Sequence, residues 1–169
     1  MSVIKPPYHV YTAPKGFTPY PLSGMAELTD EELAWEYEVE WKKYLADYFV
    51  DQEKDFSDFN DFVFKVKTAP LTWLNQSTIS TLERSTCLTF FYHTDVDKKI
   101  QNVKNDNRHR RDVDAIIQSI KNNTITPPIV LNKVDHERGL YLLSGNTRMC
   151  VSAAMNYVIP VKFVTVGKK

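Results

Sequence analysis

Five consecutive residues, Ser144-Gly145-Asn146-Thr147-Arg148, bring together the groups that hold an anion. Gly145 lets backbone approach a ligand with no Cβ in the way. The apolar run Leu140-Tyr141-Leu142-Leu143 precedes them as a strand, and a helix is expected to open near Thr147 or Arg148. The first N–H groups of such a helix have no intrahelical partner, and the helix dipole makes that end positive. Ser144 and Thr147 add hydroxyls, Asn146 adds an amide, and Arg148 adds a planar fork suited to phosphate or carboxylate. The chemistry is anion binding, or, in a catalytic form, stabilisation of charge at a phosphoryl centre. The loop is not a Walker loop, because the GxxxxGK[ST] spacing is missing. Taken alone, the five residues also describe a capped helix carrying a surface arginine.

A second polar cluster lies upstream at Asn105-Asp106-Asn107-Arg108-His109-Arg110-Arg111-Asp112. Three arginines and a histidine just before a helix raise the local cation density enough to hold phosphates, whether of a nucleotide or of a DNA backbone. Asp106 or Asp112 could bind a metal or act as a base, and His109 titrates near neutrality. The alternative is a solvated basic loop in which Asp112 caps the next helix. Further upstream, His93-Thr94-Asp95-Val96-Asp97 offers Asp95 and Asp97 as magnesium ligands, against a turn with Asp95 as a helix cap. Asp135-His136-Glu137 reads as a solvated hairpin tip. Cys87 and Cys150 belong to no CxxC pair or zinc-spaced cluster and read as buried or half-buried thiols in a reducing cytosol.

These residues need elements to position them. Residues 111–122 have Val113, Ile116, Ile117 and Ile120 on one helical face, with Asn122-Asn123 ending the helix. Ile129-Val130-Leu131 reads as a strand that forms a hairpin with Leu140-Tyr141-Leu142-Leu143. Asn156 ends the helix after the loop, and Val158 to Val166 reads as a last strand with Pro160 at its start or at an edge. In the first half, Pro6, Pro7, Pro14, Pro19 and Pro21 forbid regular helix, so residues 1–27 read as an irregular arm whose aromatics lie on the body. Thr29-Asp30-Glu31-Glu32 fits a capping box that opens a helix to about Phe49. A second helical stretch carries Phe56, Phe59, Val63 and Val66, with the acidic run Asp51, Glu53, Asp55, Asp58 and Asp61 as a solvated face around its start. Residues 77–85 read as a short helix and 87–92 as a buried strand.

The ordered segments Ser119-Ile120-Lys121, Pro128-Ile129-Val130, Tyr141-Leu142-Leu143, Gly145-Asn146-Thr147-Arg148, Ala153-Ala154 and Ile159-Pro160-Val161 resemble the ParB/sulfiredoxin family over roughly residues 100–166. The resemblance implies an α+β fold: a small mixed sheet of ParB/sulfiredoxin type at 91–169, with a helical N-terminal extension at 28–90 behind the arm. It also implies a nucleotide at the Gly-x-x-Arg loop, ATP or another nucleoside triphosphate with Mg2+, and a second contact from an Asn-x-Arg segment that Asn107-Arg108 would match. Family members bind nucleoside triphosphates, use ATP, phosphorylate free serine or cleave DNA. Two departures narrow the expectation. Asn146 stands where sulfiredoxins place their reactive cysteine, which argues against sulfinic acid repair. A ParB centromere binder continues into a helix-turn-helix region, and this sequence ends at Lys169, which argues against partition.

The 169 residues are 43% hydrophobic and 25% charged, as in a soluble globular protein. The 21 basic and 21 acidic side chains balance, which disfavours indiscriminate coating of nucleic acid but allows a local basic patch. No stretch approaches a membrane span and no secretory signal is visible, so a cytoplasmic protein is expected. Its size suits a phage or mobile-element accessory protein, in which case the cytoplasm is the host's. Three functions stay open. One is an enzyme at a phosphoryl centre, either nuclease or nucleotide-dependent phosphotransferase. Another is a non-catalytic nucleotide- or DNA-binding module. The third is an interaction protein that docks a partner through its aromatic N-terminal helices.

Overall fold

The computed structural model describes residues 11–44, 55–82, 95–105, 112–134 and 139–167. In chain order the elements are β1 (Thr18–Pro19), α1 (Asp30–Trp35) continuing into a π-helical stretch (Glu36–Tyr44), α2 (Phe59–Thr68), β2 (Leu71–Thr72), α3 (Gln76–Ser80), α4 (Val96–Asn105), α5 (Val113–Lys121), β3 (Ile129–Lys133), β4 (Leu140–Ser144), α6 (Asn146–Ala154), β5 (Tyr157–Val158) and β6 (Val161–Val166). The fold is mixed α+β. Among the described residues no helix is long and apolar enough to cross a membrane.

The main sheet has the order β2-β6-β3-β4. β3 pairs antiparallel with β4 as a hairpin and parallel with β6, and β2 closes the far edge antiparallel to β6. Alternation along the strands sends side chains to two separate cores. Ile129, Leu131, Tyr141, Leu143, Val164 and Val166 meet Leu33, Tyr37, Trp41, Phe56, Phe62 and Val66 of the N-terminal helices. Val130, Leu142 and Val161 face the opposite way, into a core shared with Val103 of α4, Ile120 of α5 and Val151 of α6. Helices thus cover both faces, which is why the strands read as continuous apolar runs rather than alternating ones.

The capping box at Thr29 is present: Thr29 Oγ1 accepts from Glu32 N at 3.1 Å, and Glu32 Oε1 accepts from Thr29 N at 2.9 Å. The helix beyond departs from expectation. It is α-helical only to Trp35, then widens into the π-helical stretch, while Leu33, Tyr37 and Trp41 stay buried along one side. Leu45 to Phe49 lie outside the described residues. Residues 1–10 of the arm lie outside the described residues, and from Tyr11 onward the arm is tied to the body. Thr18–Pro19 pairs in parallel with β5, the Tyr20 hydroxyl donates to Ile120 O at 2.6 Å, and the Tyr11 hydroxyl donates to Leu74 O at 2.9 Å.

Two further expectations are corrected. The last strand is split. Tyr157–Val158 pairs with the arm, Ile159-Pro160 carries the chain across, and only Val161–Val166 joins the main sheet, because Pro160 has no N–H for a continuous ladder. The acidic run is not a solvated face throughout. Asp55 is fully buried and accepts from Lys133 Nζ at 2.6 Å, tying the turn before α2 to the end of β3. Asp58 caps α2, and Asp61 accepts from Ser57 N and Lys65 Nζ, both at 3.0 Å. Burial raises the Asp61 pKa, but these donors outweigh it and hold the carboxyl below its ordinary value. Asp51, Glu53 and the expected strand at 87–92 lie outside the described residues.

Candidate anion-binding turn

β4 ends at Ser144, and α6 begins two residues later at Asn146. The reversal is possible because Gly145 adopts φ 98°, ψ 19°, a left-handed conformation that costs other residues energy. Space gives a second reason for glycine. A Cβ there would lie 2.6 Å from Pro128 Cβ and 2.7 Å from Pro128 Cα. Pro128 presses on the turn from the residue just before β3. The β3–β4 register also shifts between Ile129 and Val130, and Ser144 pairs with Ile129 on the irregular side. Such bulges aim the residues that follow them.

Gly145 occupies the N-cap of α6 without giving the helix a side-chain cap. Ser144 is buried, while Asn146, Thr147 and Arg148 are half-buried. The other end of α6 is closed by a cation. Lys99 of α4 is 2% exposed, and its Nζ donates to Ala153 O at 2.8 Å and to Asn156 Oδ1 at 2.5 Å, over the ring of Phe17 at 4.6 Å. Burial pulls its pKa down to about 8. A cation at the C-terminus matches the negative end of the helix dipole. The positive end is the one that faces the Gly145 turn.

Arg148 folds back over that turn. Its Nη1 donates to the hydroxyl of Thr126 and, at 3.3 Å, to Thr126 O; Nη2 approaches Ser144 Oγ at 3.5 Å. The same Nη2 would be 3.0 Å from a Cβ on Gly145. The guanidinium therefore stands over the glycine, held by oxygens on either side of the hairpin. Downstream, Cys150 is buried in α6 with Sγ 3.9 Å from Asn146 Oδ1. The turn brings together a guanidinium, the N-terminal amides of a helix and two hydroxyls, which is a chemistry for phosphate or carboxylate oxygens.

Compared with protein-family models, curated proteins and solved structures, the chain matches none.

The other candidates fall elsewhere. Asp112 is exposed and caps α5, its Oδ1 accepting from Ala115 N at 2.9 Å. Asp95 is exposed and accepts from Lys98 N at 3.2 Å at the start of α4, and Asp97 is exposed in the first turn of the same helix. Among the described residues no three His, Cys, Asp or Glu side chains gather to hold a metal ion. Asp106, Asn107, Arg108, His109, Arg110 and Arg111 lie outside the described residues, as do Cys87 and Asp135-His136-Glu137. Thr126 and Lys99 shape the turn and its helix, and no short-range signal in the sequence marks either of them. The place of Thr126 against Arg148 depends on a contact across 22 positions.

Proposed function

We propose that the protein binds a phosphorylated ligand at the Gly145 turn and acts on a phosphoryl centre, as a ParB-like nuclease or nucleotide-dependent phosphotransferase. One observation carries this reading. The Arg148 guanidinium stands over a left-handed glycine at the N-terminus of α6, where backbone amides and the dipole favour an anion. The ordered motifs around the turn, similar to the ParB/sulfiredoxin family, add support and point to a nucleoside triphosphate with Mg2+. The turn suits the phosphates: Ser144, Asn146, Thr147 and Arg148 supply donors, and Gly145 supplies clearance. Arg108, Arg110 and Arg111 are the proposed second wall, with Asp106, His109 or Asp112 as the acid–base group.

A second reading, a non-catalytic module for nucleotide or DNA backbone, is favoured by a specific observation. Asp95 and Asp112 each give a carboxylate oxygen to the first turn of their own helix. Melting with ATP and Mg2+ tests both readings against an interaction-only role. A bound ligand stabilises the folded state by about 2.7 kcal/mol at a hundred times Kd, and the midpoint keeps rising as its concentration grows. Arg148→Gln keeps a donor for Thr126 but removes the charge, and it is expected to abolish the shift while leaving the unliganded midpoint within a few degrees. A shift that survives in Arg148→Gln, or none with any nucleotide, removes the turn from the function. Cleavage of plasmid DNA with Mg2+ then separates nuclease from binding module.

A further inference from the structure

Two aromatic side chains stand out from the N-terminal helical layer. Trp35 is 53% exposed and Phe64 is 66% exposed. Each lies two residues from core positions, Leu33 and Tyr37 for Trp35, Phe62 and Val66 for Phe64. Two residues are about half a turn of helix, so both rings point away from the sheet. The helices run antiparallel. Lys67 bonds Asp30 at 3.1 Å near one end, the Tyr37 ring meets Phe59 and Phe62 at 5.5 and 5.3 Å further along, and Trp41 meets Phe56 at 5.1 Å beyond. Trp35 and Phe64 both fall between the first two of these levels, so they share one outer face.

That face is acidic. Residues 27–40 contain seven carboxylates and no lysine or arginine. Glu31, exposed, lies four residues before Trp35, the spacing that brings side chains together on an α-helix, and Glu38 is exposed in the π-helical stretch that follows. Among the described residues, the cations of the layer lie at its flanks. Lys65 is bonded to Asp61, Lys67 to Asp30, Lys42 lies over the Tyr37 ring, and Lys43 is exposed beyond it. Residues 27–68 hold 13 of the 21 acidic side chains but only 5 of the 21 basic ones. The neutral chain is therefore strongly polarised.

We propose that this face docks a basic, amphipathic segment of a partner protein. Apolar side chains of the partner cover Trp35 and Phe64, and its arginines or lysines pair with Glu31 and Glu38 and stack on the indole. Charge complementarity selects the partner: the carboxylates attract a cationic segment and repel a nucleic-acid backbone. The inference is independent of the Gly145 turn.

Fluorescence anisotropy of a labelled Leu/Arg amphipathic peptide of about 18 residues, with a Leu/Glu peptide of the same pattern as control, tests it on the full chain. The Leu/Arg peptide is expected to bind, to weaken with salt, and to shield tryptophan fluorescence from acrylamide. Trp35→Ala, and separately the double change Glu31→Lys with Glu38→Lys, should each weaken it by at least about tenfold. Both variants alter exposed side chains, and an unchanged melting midpoint confirms their fold. Equal binding by Trp35→Ala, equal binding of the Leu/Glu peptide, or no binding at any soluble concentration overturns the proposal. Self-association of the wild type that Trp35→Ala abolishes also overturns it, by assigning the face to a second copy.

Discussion

At Gly145 two requirements coincide, a left-handed backbone and clearance against Pro128. Gly145→Ala therefore meets conformational strain and a backbone clash together, and is expected to destabilise the protein by at least about 2 kcal/mol in urea unfolding. An unchanged midpoint would mean that Pro128 can retreat. Lys99 makes a pH prediction. Its folded pKa of about 8 lies below the ordinary lysine value of 10.5. Below pH 8 both states carry the proton, so the group adds no pH dependence. Between 8 and 10.5 the unfolded chain keeps a proton that the folded one releases, so stability rises with pH, by at most about 1.4 kcal/mol per unit. Unfolding at pH 7.5 and 9.5 should show wild type gaining on Lys99→Met. Burial raises the Tyr11 and Tyr20 pKa values, Tyr11 to about 12, so these groups act in the opposite direction only above pH 10.

Between elements, Lys133 and Asp55 form a buried ion pair. It joins the end of β3 to the turn before α2, at 7% and 0% side-chain exposure. Removing one partner leaves a buried charge, so Lys133→Met is expected to cost about 3–5 kcal/mol, and Asp55→Leu with Lys133→Met distinctly less. A double variant as unstable as the single one would assign the cost to packing. Short-range ties, by contrast, are legible in the sequence. The helix starts at Thr29 and Asp112 were legible because a cap is a local bond over three residues. The helix end at Asn123, φ 57°, was legible for the same reason. Asp55 was misjudged because its partner lies 78 positions away, and nothing nearby distinguishes it from the solvent-facing acids around it.

For the whole molecule, the sheet is the shared wall of two cores, and disturbing either face exposes the other. Trp41 reports one core, and Trp73, stacked on Tyr11 and donating to Tyr20 O, reports the other. Single-tryptophan variants retaining Trp41 or Trp73 should unfold with coincident midpoints in denaturant. Separate transitions would mean that the helical layer unfolds on its own. The sequence by itself determined the strand–glycine–helix order of the candidate turn, its five ligand-type residues, most helix starts and the mixed α+β class. Those features rest on neighbours within a few residues. Only the tertiary structure decided that Pro160 splits the last strand, that Arg148 is held by Thr126, that Lys99 closes the far end of α6, and that Trp35 faces outward among carboxylates. Each of these depends on packing between segments distant in the chain, and a buried side chain has the same letter as an exposed one until the sheet places it.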